Sequence, residues 1–324
     1  MATPKKTIFM TGAHGYVGSS ITRLALSSNL YTVRGLSRTE ASDAKLVALG
    51  AVPVRGDLTS LTLLRDEAAS ADIVIHLADP FNYDLSNGYD HVVKAQQDVA
   101  DAFAAGMEGS GKPLVMTGGT LLVAADPNGG ETDETAPYPE VPFLPRHLVE
   151  QHDLSLAKKS IRVSSIRLAP YVYGRGGSGV KLFMQMAIGK GEVLIIDGGK
   201  TITSTVHVDD AARLYLLAAE KAPAGSVYNA TDATNISKLE IAEAISEITG
   251  VPIKDYTYAE ACEKIGPFFA RFINSPSRAS SAKARMELGW EIKEKAGILD
   301  DIRHGSYVAV AKEMKANPAP GPAH

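Results

Sequence analysis

The chain has 324 residues, 45% hydrophobic and 22% charged, which excludes wholesale disorder and fits two domains or one large α/β unit. Its 33 basic and 37 acidic residues give a net charge of -4, so a nucleic-acid partner, which calls for a basic excess, is not expected. The lone Cys262 excludes an internal disulfide and points to a reducing compartment. No signal peptide is read ahead of the first strand and no apolar run could span a bilayer, so a cytoplasmic location without membrane contact is expected.

Short apolar runs alternate with helical patterns through the first half. Lys6–Thr11 reads as a strand and Tyr16–Ser28 as a helix, with Val17, Ile21, Leu24 and Ala25 at helical spacing. A strand at Tyr31–Leu36, a helix at Ala41–Leu49 and a strand at Val52–Arg55 follow. Next come a helix from Ser60 to Ala69, a strand at Asp72–Leu77, a long helix from Tyr89 to Met107 and a strand at Pro113–Thr117. These strands are apolar along most of their length, the pattern of a parallel sheet covered by helices on both faces. Asp126–Pro145, rich in Pro, Gly and acidic residues, reads as a long surface loop. Arg146–Lys159 reads as a helix and Ile161–Leu168 as a strand. Beyond Tyr171 the elements shorten. Helices are expected at Val180–Ile188, Asp209–Glu220, Ser237–Thr249, Tyr258–Ile265, Ser280–Leu288 and Gly297–Lys315, with a strand at Val193–Ile196. The fold class expected is α/β: a doubly wound parallel sheet in residues 1–170 and a smaller, mainly helical C-terminal cap in residues 171–316. The chain is expected to cross back to the first domain near 205–230, and a disordered tail at 317–324 completes it.

The strongest motif is Thr11-Gly12-Ala13-His14-Gly15-Tyr16-Val17-Gly18, set between the first strand and the first helix. In this Rossmann-type turn Gly12 allows the tight bend, Gly15 lets the backbone approach a pyrophosphate, and Gly18 lets helix and strand pack closely. The free N–H groups of the helix start then hold the phosphates, which makes a dinucleotide the expected cofactor. An NAD site usually has an acidic residue about 20 residues further on. Here Ser37 and Arg38 end the second strand, and a hydroxyl beside a guanidinium suits a ribose 2′-phosphate, so NADP (NADPH) is the expected form.

At this point the chain resembles the extended short-chain dehydrogenase/reductase superfamily, of the NAD-dependent epimerase/dehydratase type. The resemblance is carried by the glycine turn and by Gly56-Asp57-Leu58 and His76-Leu77-Ala78. Further on, Arg167-Leu168-Ala169-Pro170-Tyr171-Val172-Tyr173-Gly174 and Val206-His207-Val208-Asp209-Asp210-Ala211-Ala212 add to it. By resemblance Asp57 and Leu58 flank an adenine, Leu77 and Ala78 line the cofactor, and the backbone around Tyr171 meets the nicotinamide amide. His14, Tyr16 and Val17 belong to the phosphate turn, and Asp209 and Asp210 read as helix caps. Members of the family use a Tyr-x-x-x-Lys pair with a Ser or Thr. Counting back from Glu150, Arg146 stands at the Lys place and Pro142 at the Tyr place, while the hydroxyl position reads as glycine between Thr117 and Thr120. This matches an atypical subgroup, with His-x-x-x-Arg in that position, only at the Arg. Arg146, Thr117 and Thr120 are the expected catalytic residues; Arg146 would hold a ribose hydroxyl or a developing oxyanion, against the alternative of a surface ion pair. The proton donor is left among Tyr83, Tyr138, His147, Tyr171, Tyr173 and water.

No metal site is expected, because no Cys or second His joins His147 and His152 at ligand spacing. The runs Phe183–Met186 and Pro267–Ile273 read either as core or as the lining of an apolar small-molecule pocket. The apolar face of the Tyr89–Met107 helix fits the monomer core or a homodimer. The function expected is NADPH-dependent reduction of a small carbonyl or enone. The alternatives are a non-redox isomerase or lyase on the same fold, and a dinucleotide-binding regulator without turnover.

Overall fold

A computed structural model describes residues 4–81, 83 and 88–317. Its first half runs β1 (Lys6–Thr11), α1 (Tyr16–Ser27), β2 (Tyr31–Ser37), α2 (Glu40–Leu49), β3 (Val52–Arg55), α3 (Leu61–Ser70), β4 (Ile73–His76), α4 (Asp90–Met107), β5 (Pro113–Gly119), α5 (His147–Ser155) and β6 (Arg162–Leu168). The second half runs β7 (Tyr171–Tyr173), α6 (Ser178–Lys190), β8 (Val193–Ile196), β9 (Ile202–His207), α7 (Val208–Lys221), β10 (Ser226–Ala230), β11 (Ala233–Ser237), α8 (Lys238–Thr249), β12 (Ile253–Tyr256) and α9 (Tyr258–Asn274). Three short helices follow: α10 (Ala282–Leu288), α11 (Ile298–His304) and α12 (Tyr307–Ala316). Of the tail at 317–324, all but Asn317 lies outside the described residues.

Seven parallel strands form the main sheet in the order β10-β6-β5-β4-β1-β2-β3. Successive side chains of a strand point to opposite faces, and here both faces are covered. Ile8, Met10, Ile75, Val115 and Ile166 pack toward α1 and α7, while Phe9, Val74, Leu114, Met116 and Val163 pack toward α3 and α4. That double burial is the reason the strands read as unbroken apolar runs. After β6 the chain leaves the sheet, and it returns once: α7 lies against α1 and β10 pairs with β6. The C-terminal lobe is helical apart from two small sheets, β11-β9-β7 and β12-β8. The strands β7, β11 and β12 are too short and too mixed in composition for a period to show.

Three local readings change. Asp126–Pro145 is a loop, but it is tied down: Glu134 accepts from the Asn229 N–H at 2.8 Å, its carbonyl accepts from Arg167, and Thr132 bridges to the strand-like segment at Ala279. The expected caps Asp209 and Asp210 do other work, since the His207 ring accepts from the Asp209 N–H and caps α7 itself. Asp210, fully buried, accepts the backbone N–H groups of Lys293 and Glu294 at 2.9 and 3.1 Å and pairs with Arg213. Its carbonyl takes the Trp290 indole N–H, so one aspartate pins the C-terminal segment to α7. The helix expected to end at Ile265 continues to Asn274 as α9 after a break. Gly266 sits at φ 79° and Pro267 lacks an N–H, so the second segment sets off in a new direction.

The buried pair Glu150–Arg167 holds α5 against β6. Arg167 Nη2 donates to Glu150 Oε2 at 2.6 Å, and Ser165 Oγ donates to Oε1 at 2.8 Å, with both charged side chains 3% exposed. Removing one partner strands the other charge in the interior, a loss of about 3–5 kcal/mol. Glu150→Ala is therefore expected to lower the urea midpoint by an amount corresponding to that range; a midpoint within about 0.5 kcal/mol of the parent, the scatter of an ordinary surface change, would show the pair to be dispensable.

Candidate active site

Two adjoining hollows lie at the carboxyl ends of the central strands, where doubly wound sheets place their ligands. The first, of about 610 Å³, runs over the β1–α1 turn and is lined by Gly12, His14, Gly15, Tyr16, Val17, Gly18, Arg38, Asp57 and Leu58. The second, a chamber of about 420 Å³, lies between the ends of β4, β5 and β6 and helices α5 and α9. Leu77, Ala78, Asp79, Thr117 and Leu168 line both, so the two spaces share a wall.

The β1–α1 turn is packed as tightly as backbone allows. A Cβ on Gly18 would lie 2.1 Å from the Gly12 carbonyl oxygen, and one on Gly12, at φ 70°, would press on Ala78 N. Gly15 leads into α1 with no side-chain cap and no acidic residue in the first turn, which leaves the positive end of the helix facing the cleft. A pyrophosphate fits this cradle. The Tyr16 hydroxyl donates to the Gly174 carbonyl at 2.7 Å and ties the turn to the C-terminal lobe.

The shared wall is set by a chain of hydrogen bonds. Thr11 Oγ1 accepts the N–H groups of Leu77 and Ala78, both at 3.2 Å, so its own proton goes to His76 Nδ1 at 2.7 Å. His76 must then carry its proton on Nε2, which donates to Gln96 Oε1 at 2.7 Å, while Gln96 Nε2 donates to the Ala78 carbonyl. Burial holds the His76 imidazole below its usual pKa, so it stays neutral in this role.

The placements of the expected site residues differ. Of Ser37 and Arg38, only Arg38 lines the cleft; Ser37 is buried and its hydroxyl points to the Thr39 carbonyl. Arg38 and Lys45 both act on His14 electrostatically, lowering its pKa after the larger effect of burial, so this corner of the cleft is positive. Asp57 folds back on Thr59 and Ser60, and those bonds hold its carboxyl below the usual range. The Tyr171 side chain is buried in the C-terminal lobe, and only its neighbours Pro170 and Val172 face the chamber. Thr117 lies on the shared wall with its hydroxyl committed: it donates to the His76 carbonyl at 2.7 Å and meets Tyr215 at 2.8 Å. Thr120 lines the chamber from a buried position and bonds Ser277. Arg146 reaches the chamber floor, where Nη1 pairs with Asp79 and donates to the Tyr89 hydroxyl at 3.4 Å.

Of the expected proton donors, Tyr83 lines the chamber, whereas Tyr138 and His147 pack against each other as tilted rings 5.2 Å apart and Tyr173 bonds Asp232. Two acids in the site went unnoticed in the sequence. Asp79 is the counter-ion of Arg146. Asp153 lines the chamber one turn beyond Glu150, and its buried Oδ1 has no hydrogen-bond partner among the described residues. Burial, helped by the charge of Glu150, pushes its carboxyl well above the usual range. The chamber walls are aromatic: Phe81, Tyr83 and Phe143 surround Phe268 at ring distances of 5.3–5.5 Å, and Phe272 lies beyond. The second segment of α9 thus lines the pocket, while Phe183 and Met186 do not reach it. His207, Asp209 and Glu294 come within 4.8 Å of one another, but Arg175 already pairs with Asp209 and Arg213 with Glu294.

An Asp that stays protonated in the folded chain while it ionises near pH 3.9 when unfolded makes stability fall as pH rises through that window. Asp153→Asn removes the ionisation. Its melting temperature is expected to match the parent near pH 4 and to gain on it toward pH 8; a gap that does not change with pH would show the carboxyl to be ordinary.

Residues 8–231 match the family model described as the NAD dependent epimerase/dehydratase family. An uncharacterized protein of Schizosaccharomyces pombe is 35% identical over 93% of this chain and 99% of its own. A 4-hydroxy-2-methyl-3-oxo-4-farnesyl-3,4-dihydroquinoline-1-oxide ketoreductase of Stigmatella aurantiaca is 25% identical over 86% of this chain and 85% of that protein. The UDP-glucose 4-epimerase of Thermotoga maritima, solved with UDP-glucose, shares the fold with a TM-score of 0.74 at 19% identity, covering 95% and 99% of the two chains. With its glycine turn, seven-stranded sheet and paired hollows, the chain belongs to the NAD-dependent epimerase/dehydratase family.

Proposed function

We propose that this protein is an NADP-dependent reductase of an apolar carbonyl compound. The observation that carries the reading is the aromatic chamber sharing a wall with the dinucleotide cleft: a substrate there lies against the place where the reactive end of the cofactor would rest. Rings of Phe81, Phe143, Phe268 and Phe272 favour a flat or hydrocarbon-rich body and offer few partners to a sugar. The Stigmatella aurantiaca relative, named as a ketoreductase for a farnesyl-bearing quinoline oxide, supports both the reaction class and the apolar substrate.

The bound nicotinamide would supply the hydride. The N-terminus of α1 would hold the pyrophosphate, and Arg38, in the positive corner with His14 and Lys45, would hold the ribose phosphate. Asp57 and Leu58 would flank the adenine. Arg146 stays cationic under the influence of Asp79, so it serves the substrate oxygen as a charged hydrogen-bond donor and not as an acid. The proton would come from Asp153, which is buried, lines the chamber and has its carboxyl pushed toward the protonated form by burial.

Arg38→Ala is expected to weaken NADPH binding about 10- to 100-fold, the value of a charge-assisted contact, and to leave NADH nearly unchanged. Equal loss for both coenzymes in a fluorescence titration would place the 2′-phosphate elsewhere. Asp153→Asn is expected to keep NADPH affinity and to lose about 100-fold or more in turnover with a panel of apolar ketones and enones. Undiminished turnover would remove Asp153 from the reaction. Tight NADPH binding by the parent, with no ketone or enone consuming it, would favour a non-redox isomerase or lyase or a regulator instead.

A further inference from the structure

A third cavity lies inside the C-terminal lobe, between α6, β8, α8 and the second segment of α9. It measures about 50 Å³, far smaller than the cleft or the chamber, and Phe272 stands between it and the chamber. Its walls are Tyr171, Phe183, Met186, Ile241, Ile245 and Ile273. One polar group faces this apolar lining from within: Lys238, 4% exposed, with no hydrogen-bond partner for Nζ among the described residues. The ammonium sits 4.3 Å from the centre of the Tyr171 ring and 5.4 Å from that of Phe272. Lys190 and Glu192 mark the rim, but both are engaged. Lys190 donates to the Lys264 carbonyl, and Glu192 accepts from Tyr256 and pairs with Lys254 and Lys264.

The fold does not need a lysine here. Lys238 is the first residue of α8, whose start is satisfied by the Ser237–Glu240 capping box, and a methionine would fill the same space. Cation–π contact with two rings offsets only part of the loss of hydration of a buried ammonium, and burial lowers the amine's pKa to about 7. Three N–H donors left unused at one end of a small hydrocarbon pocket describe half of an ion pair.

We propose that this cavity is a binding site for a monocarboxylate of two or three carbons, its carboxylate paired with Lys238 and its hydrocarbon part packed against Phe183, Ile241 and Ile245. A sugar or nucleotide is too large for the space and would leave its hydroxyls without partners. A multiply charged anion would meet only one cation. Binding places a carboxylate on an amine that is partly neutral at mildly alkaline pH, so the complex takes up a proton there.

Propionate is the probe, with propanol and propionamide as uncharged controls of the same length. At about a hundredfold excess over its Kd, propionate is expected to raise the melting temperature by about 5 °C, and the controls are not. Calorimetry at pH 8 in two buffers of different ionisation heat is expected to show proton uptake approaching one per ligand. Lys238→Met is expected to melt at or above the parent temperature without ligand and to lose the propionate shift, while still binding NADPH. The proposal is overturned if propionate gives no shift, if propionamide matches it, if K238M keeps it, or, should K238M fail to fold, if the parent takes up no proton on binding.

Discussion

A single hydroxyl sets the geometry on which both hollows depend. Thr11, at the end of β1, accepts two backbone N–H groups from the segment after β4 and gives its own proton to His76. Gly12 of the next turn then lies directly against Leu77 and Ala78, with little room for a side chain between, and Gly18 packs on Gly12 in turn. Cleft and chamber therefore meet across residues that cannot shift independently. His76 and Gln96 complete the arrangement by returning a hydrogen bond to the Ala78 carbonyl. In a dry interior such a network is stable only when every member is satisfied, and here each donor finds an acceptor.

The chamber is a joint product of the two lobes. Its floor comes from the ends of β4, β5 and β6, while its apolar wall comes from the segment of α9 beyond the Gly266–Pro267 break. A continuous helix would have carried Phe268 and Phe272 in a different direction. The return of β10 to the main sheet, the bond from Tyr16 to Gly174 and the grip of Asp210 on residues 290–294 hold the lobe in place. Each of these ties is a buried polar contact or a strand pairing, which fixes position more sharply than apolar packing alone.

Charge in the site is arranged with the same economy. Arg167 neutralises Glu150 within the fold, and Asp79 neutralises Arg146 at the chamber floor. Asp153, close to both Glu150 and Arg146, forms no salt bridge among the described residues, and burial pushes its carboxyl well above the usual range. The result is a cationic donor at the start of α5 and, two turns further on, a buried acid near its end, both lining the chamber. In the proposed reaction that combination would stabilise a developing oxyanion and deliver a proton.

The sequence by itself determined the sheet, the helices that cover it and the dinucleotide turn. Apolar runs, helical spacing and glycines between a strand and a helix are local signals, and burial on both faces of the sheet amplifies them. Arg38 and Arg146 were legible for the same reason, since each is located by its distance from a recognisable motif. Only the tertiary structure decided what surrounds them. It turned Ser37 and Tyr171 inward, gave Arg146 its partner Asp79 from another loop, brought Asp153 into the chamber, and set Phe268 opposite Phe81 across nearly two hundred positions of chain. Pairings of that kind depend on where folded elements cross, and a short or irregular segment carries no period from which the crossing could be read.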